Sequence, residues 1–143
     1  MVFFSFFGAG FFPFAQGTFT SLIICFIYFF VPLEIPIELV LLFVLISVSF
    51  IFVPKVNQIW NQKDPSYVVI DEVIGMMITF LFLPKTILTL ILGFVLFRFF
   101  DVLKIPPVNF FDKMQSPYGI ILDDIIAGIM ANILLRILIY MIY

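Results

Sequence analysis

Long apolar runs, each ended by a proline or a few charged residues, constrain this chain more than any other feature. Residues 19–31 and 39–53 contain no charged side chain at all. Only 11% of the 143 residues are charged and 64% are hydrophobic, whereas a soluble domain is about one quarter charged. Too few polar side chains remain to cover a soluble domain, so the runs predict an integral membrane protein.

The charge and cysteine content exclude several other classes of protein. The net charge is −2 and no basic run is present, which excludes a nucleic-acid-binding protein. Cys25 is the single cysteine, so no intrachain disulfide can form. The first seven residues contain no Lys or Arg, so no cleavable signal peptide is expected. The length fits one domain, residues 1–143.

The apolar runs predict an all-α, polytopic membrane protein with about five membrane-embedded helices. The runs cover residues 19–31, 39–53, 68–83, 86–100 and 118–143. Residues 1–16 are apolar but contain Gly8, Gly10 and Pro13, which is typical of an interfacial or re-entrant segment. The polar residues 54–67 and the proline-containing residues 105–118 are predicted to be loops.

Five crossings would divide the lysines unequally between the two sides of the membrane. One side would carry Lys55, Lys63, Lys104 and Lys113, whereas the other would carry only Lys85. Because cytoplasmic loops are enriched in Lys and Arg, the first side is predicted to be cytoplasmic.

Three clusters of charged residues lie at the ends of the predicted helices. They are Asp71-Glu72, the series Arg98, Asp101 and Lys104, and Asp123-Asp124. Five crossings would bring all three to the cytoplasmic face. Ionisable groups within membrane spans are costly, so each cluster is a candidate functional site.

The types of residue in these clusters narrow the chemistry. Carboxylates that face one point repel unless a cation lies among them, and oxygen ligands favour Mg²⁺ or Mn²⁺. The chain has no histidine, which excludes a Ser-His-Asp triad and a histidine nucleophile. Val31, six residues after Cys25, stands where a cysteine phosphatase needs Arg. Metal–carboxylate chemistry remains, with Arg and Lys as anion binders.

Simpler roles exist for individual members of these clusters. Arg98 and Asp101 can form an interhelical ion pair, and Asp71 or Asp123 can stabilise a helix N-terminus. Gly75 and Gly128, three or four residues after an acid, permit close helix packing. The alternative function is a small transporter or channel subunit with the carboxylates as a cation path. That function needs acids throughout the membrane depth, whereas the middles of these runs are apolar.

Four segments, in order along nearly the whole chain, resemble the phosphatidylglycerophosphatase A family of bacterial membrane phosphatases. They are GAGFFPFAQGTFTSL, DPSYVVIDEVIGMM, FRFFDVLKIPPVNFFDK and GIILDDIIAG. Gln16 and Ile105 stand where the family usually has proline. Every acid of the clusters, Arg98 and Lys104 match the family's motifs.

The resemblance implies an activity, a cofactor and a location. The expected reaction is Mg²⁺-dependent hydrolysis of phosphatidylglycerophosphate to phosphatidylglycerol and phosphate, at the cytoplasmic face of the bacterial inner membrane. The expected metal-binding and catalytic residues are Asp71, Glu72, Asp101, Asp123 and Asp124. Arg98 and Lys104 are expected to bind the phosphate, and Gly17 and Thr18 the headgroup. The nucleophile, either water or a carboxylate, and the oligomeric state stay open.

Overall fold

The computed structural model describes residues 16–31, 33–60 and 69–143, which form helices joined by turns and short loops. The helices are α1 (Gln16–Phe30), α2 (Ile35–Trp60), α3 (Ile70–Phe80), α4 (Ile87–Leu103), α5 (Val108–Asp112) and α6 (Gly119–Ile142). No strand occurs in these three ranges. The prediction of an all-α chain is therefore confirmed, while the predicted N-terminal interfacial segment, residues 1–16, lies almost wholly outside them.

Two helices in the described ranges are long and apolar enough to cross a membrane. They are Ile35–Lys55, within α2, and Gly119–Ile142, which is α6. The apolar part of α1, Gly17–Phe30, is shorter. Length and hydropathy thus single out two crossings, and the count of five stays a prediction.

Helix α3 lies at the centre of the bundle. It packs against α1, α2, α4 and α6, and Ile74, Met76 and Phe80 are fully buried. Its 11 residues extend over about 16 Å at the usual helical rise, roughly half the thickness of the bilayer's hydrocarbon core. Because the surrounding helices enclose α3, this short helix does not have to match the thickness of the lipid.

Two glycines allow α3 and α6 to approach closely. A Cβ atom on Gly128 would lie 2.5 Å from the carbonyl oxygen of Gly75. A Cβ atom on Gly75 would lie 2.8 Å from the carbonyl oxygen of Asp124. The expectation that these glycines permit close packing is confirmed. Since Glu72 and Asp124 lie one turn before the two glycines, the same contact brings their acids together.

The C-terminal end of α3 is capped by polar side chains. The accepting carbonyl oxygens belong to Ile78, Thr79, Phe80 and Leu81. Asn132 of α6 donates to three of them at 2.9–3.1 Å. Arg136 donates to Leu81 at 3.0 Å and Lys85 donates to Phe80 at 2.6 Å. These bonds satisfy the carbonyl groups that a helix end leaves unpaired, which permits irregular backbone inside a membrane bundle.

Two predicted loops contain helical residues, so their bounds were wrong. Helix α2 continues through Pro54 to Trp60, where the sequence predicted a loop from residue 54. A proline removes one hydrogen bond from the helix, and neighbouring groups in a membrane bundle can compensate for it. Helix α5 lies within the predicted loop 105–118 and buries Val108.

Candidate active site

Three carboxylates from two helices converge at one end of the bundle. Asp71 and Glu72 lie in the first turn of α3, and Asp124 lies near the start of α6. One oxygen from each carboxylate lies within 4.8 Å of the other two. Ligands at 2.0–2.6 Å from a single ion are separated by at most about 5 Å. The three oxygens therefore have the spacing that one hard cation requires.

Glu72 has an oxygen that needs a partner. Its Oε2 atom is buried, and no hydrogen bond to it is found within the described residues. A buried carboxylate oxygen without a donor or a cation is costly. Asp101 and Asp124 interact electrostatically with Glu72 and with each other, which adds repulsion. A divalent cation among these groups would remove both costs, so the residues fit a metal site.

Two cationic side chains border the acid cluster. Arg98 Nη1 donates to Asp101 Oδ2, one turn further along α4, so this ion pair lies within one helix and not between helices as predicted. Lys104 Nζ lies 2.5 Å from Asp123 Oδ2, 3.5 Å from Asp101 Oδ1 and 3.4 Å from Asp112 Oδ1. Burial alone would lower the pKa of Lys104, but its bond to Asp123 and the nearby carboxylates raise that pKa above its usual range. Lys104 therefore links α4, α5 and α6 through its ion pairs with Asp101, Asp112 and Asp123.

The start of α1 contacts this cluster through Gly17. A Cβ atom there would lie 3.1 Å from Arg98 Nη1 and would collide with Glu72 Oε1. A larger residue at this position would displace the ends of the Glu72 and Arg98 side chains, so glycine leaves both of them in place beside the start of α1. Thr18 follows in the same turn and is partly buried.

The structure thus brings together the residues that the sequence selected. All five acids, Arg98 and Lys104 lie at one end of the bundle, beside Gly17. The five acids are not equivalent, however. Asp71, Glu72 and Asp124 form the compact oxygen cluster, whereas Asp101 and Asp123 pair with Arg98 and Lys104.

A second polar group, at the other end of α3, was not predicted. Glu38 of α2 is fully buried; it accepts from the Tyr28 hydroxyl at 2.5 Å and lies 3.3 Å from Lys85 Nζ. Burial lowers the pKa of Lys85, and Glu38 opposes that shift. In the sequence, Glu38 and Lys85 belong to separate short turns, 47 residues apart. A lone Glu at the edge of an apolar run is the only signal that marks this group.

Comparison with known proteins is consistent with this arrangement. The sequence model described as phosphatidylglycerophosphatase A matches residues 2–139. The chain is 35% identical over 130 residues to phosphatidylglycerophosphatase A of Escherichia coli, covering 87% of this chain and 74% of that protein. It is 42% identical over 72 residues to the Haemophilus influenzae protein of the same name, covering 49% and 44%.

A third relative has a different name. A protein of Bacteroides thetaiotaomicron named "Putative phosphatidylinositol-3-phosphatase" is 33% identical over 140 residues, covering 92% of this chain and 87% of its own. No solved structure matches the chain. Because the family match extends over nearly the whole sequence, the chain belongs to the phosphatidylglycerophosphatase A family and is a phosphatase.

Proposed function

We propose that the chain hydrolyses phosphatidylglycerophosphate to phosphatidylglycerol and phosphate, with Mg²⁺ as cofactor, at the cytoplasmic face of the bacterial inner membrane. One observation carries this proposal: three clustered carboxylates lie beside two cationic side chains at one end of an apolar helical bundle. A phosphomonoester on a lipid headgroup lies at the membrane surface, where this end of the bundle is proposed to be.

The metal is assigned to the compact cluster. Asp71, Glu72 and Asp124 would hold Mg²⁺, because their oxygens have the spacing of ligands to one ion and Mg²⁺ prefers carboxylate oxygens. When bound, Mg²⁺ would neutralise charge on the phosphate oxygens and make a bound water more acidic.

The paired acids are assigned a different role. Arg98 can hold two phosphate oxygens with its fork of donors, and Lys104 can supply a compact positive charge. Asp101 would orient Arg98, and Asp123 would orient Lys104, because each is the ion-pair partner in the structure. This assignment narrows the five predicted metal ligands to three and makes Asp101 and Asp123 positioning residues. Gly17 and Thr18 would border the headgroup.

Phosphate release from purified protein tests the proposal. Dipalmitoyl phosphatidylglycerophosphate in mixed micelles is expected to release phosphate with Mg²⁺. EDTA should abolish the release, and added Mg²⁺ should restore it. Undiminished release in EDTA would exclude the metal. Phosphatidylinositol 3-phosphate is the informative second substrate, given the name of the Bacteroides relative. Release from that lipid alone would replace the proposed substrate.

The nucleophile can be identified in the same assay. Hydrolysis breaks the bond between phosphorus and the glycerol oxygen and adds the elements of water. If a carboxylate attacks first, the phosphoryl group is carried on the protein before water releases it. Acid-quenched turnover of substrate labelled at the phosphate would then leave label on the protein, whereas direct attack by water would leave none.

A further inference from the structure

An apolar groove runs along α1 below the candidate active site. It encloses about 240 Å³ between α1, α2 and α3. The lining residues that matter here are Ile24, Ile27, Leu41, Leu45, Val73 and Met77. Every residue that lines it is apolar except Tyr28, whose hydroxyl is bonded to Glu38. The groove therefore has no group that would bind a polar ligand.

The groove is lined by α1 and α3, the helices that also contribute Gly17 and Glu72 to the site. Val73 directly follows Glu72 on α3, and Met77 lies five residues beyond Glu72. On α1, Ile24 lies seven residues after Gly17, which contacts the same site. Seven residues of helix correspond to about 10 Å. Val73 is thus the lining residue nearest to the acids in sequence, and the other lining residues of α1 and α3 lie deeper in the bundle.

The groove is open on the side that would face lipid. Ile27 and Leu41, which line it, retain 39% and 41% of their exposure. Within the described residues, this exposed side gives an acyl chain a path from the bilayer into the groove. Buried Tyr28, which is held by Glu38, and Leu33 line the part of the groove farthest along the chain from Gly17 on this side of the bundle.

We propose that this groove holds one acyl chain of the phospholipid substrate while the phosphate lies at the acid cluster; the inference rests on the function proposed above. An acyl chain leaves one apolar environment for another, so the groove gains little from the hydrophobic effect. Its contribution is geometric instead. Fixing the chain fixes the glycerol and the phosphate relative to Arg98, Lys104 and the carboxylates, and small displacements of a bound substrate reduce rates strongly.

Leu41→Trp tests the groove because the larger side chain would fill it. The matched control is Val40→Trp, since Val40 is adjacent, 64% exposed and not among the lining residues. Two substrates are compared: the dipalmitoyl lipid in micelles, and the water-soluble headgroup, glycerophosphoglycerol phosphate. Leu41→Trp is expected to lower kcat/KM for the lipid about tenfold or more. Its kcat/KM for the headgroup substrate is expected to stay within about twofold of the wild-type value. Val40→Trp is expected to leave both kcat/KM values unchanged. If both variants lowered kcat/KM for the lipid equally, the proposal would be overturned.

A second measurement uses the unaltered protein, in case Leu41→Trp does not fold. A lipid phosphomonoester with a diazirine in the middle of one chain is irradiated with the protein in vesicles. Labelling concentrated on Ile24, Leu41 and Met77 is expected, whereas labelling spread over outward residues such as Phe43 and Ile133 would contradict the groove. Labelling needs no turnover, so a failure of the proposed reaction appears separately, as absence of phosphate release.

Discussion

Glu72 is the residue at which stability and activity are expected to conflict. Its carboxylate is crowded by Asp71, Asp101 and Asp124, and one of its oxygens has no hydrogen-bond partner within the described residues. Without a cation, the carboxylates repel one another and lower the stability of the fold. With a cation bound, the same carboxylates serve the reaction. Separate measurements of stability and activity on one variant can detect such a site.

Glu72→Gln is expected to raise the melting temperature in EDTA, because one of the repelling charges is removed. Phosphate release should fall at least about 100-fold, since a metal ligand is lost. Added Mg²⁺ should stabilise the wild type more than the variant. Asp112→Asn serves as a control, because Asp112 is paired with Lys104 and is not one of the three clustered carboxylates. A variant that melts lower in EDTA and keeps its activity would contradict the metal site.

Exchanging the charges of Arg98 and Asp101 separates an active site from a structural ion pair. The double variant Arg98→Asp, Asp101→Arg retains opposite charges one turn apart on α4. It is expected to keep the fold but lose activity at least about 100-fold, because the phosphate-binding fork moves one turn. Thermal melting and phosphate release are the two measurements. Activity close to that of the wild type would assign the pair to packing alone.

Which residues could be predicted depends on how their partners are arranged. The acids, Arg98 and Lys104 can be recognised in the sequence because each is a charged residue beside an apolar run. Asn132 is not visible in this way, since its three acceptors lie more than 50 residues earlier. Glu38 likewise resembles an ordinary turn residue until Tyr28 and Lys85 surround it. Side chains that satisfy distant backbone or charges follow from packing, which the sequence pattern does not specify.

At the scale of the helices, the α3–α6 contact controls the geometry of the site. Gly128→Ala would place a methyl group 2.5 Å from the Gly75 carbonyl oxygen, and backbone cannot move aside as a side chain can. We expect a loss of stability of about 1–3 kcal/mol, together with reduced activity because Asp124 moves away from α3. Thermal melting in detergent and phosphate release measure the two effects. The neighbouring Ile129→Val faces outward and should change neither; an unaffected Gly128→Ala would contradict the close packing.

The cap on α3 gives a second prediction for the helices. Asn132→Leu removes the donor that three carbonyl oxygens share. Buried acceptors without donors are unfavourable. The free energy of unfolding is therefore expected to fall by about 1–2 kcal/mol, measured as a lower melting temperature. Arg136 still reaches Leu81, which limits the loss. Ile133→Leu, on the exposed side of α6, is the control. If both variants melt like the wild type, the cap has no energetic role.

The helical type of the elements was more predictable than their number and extent. The apolar runs indicate where helices lie. Each of the five predicted helices corresponds to a helix of the structure: α1, α2, α3, α4 and α6. Pro54 and the residues after it were assigned to a loop because polarity and proline usually end a helix. Polar residues indicate exposure to water, however, and not the end of a helix. A helix can continue beyond the membrane into water. The turn of helix in α5 was missed because five residues are too few to show a period.

At the scale of the whole molecule, the five-crossing topology predicts which positions share a side of the membrane. In a Cys25→Ser background, single cysteines at Lys113 and Lys55 should react with an impermeant thiol reagent only from the cytoplasmic side. Cysteines at Glu34 and Tyr143 should react only from the other side. All four positions are exposed, so a lack of reaction from one side reports topology. Reaction of the Lys113 and Glu34 positions from the same side would contradict the five crossings.

The enclosure of α3 by other helices also has a consequence for biogenesis. A helix of 11 residues that begins with two acids is a poor candidate for independent insertion by the translocon, where a charged residue costs about 2.5–3.5 kcal/mol at the helix centre. Its acids acquire their partner Asp124, and its C-terminal end acquires Asn132, only when α6 emerges from the ribosome. Helix α6, which is synthesised after α3, therefore completes both ends of the central helix. In a nascent chain that stops before α6, α3 would lack both Asp124 and Asn132. The site would therefore form late in synthesis.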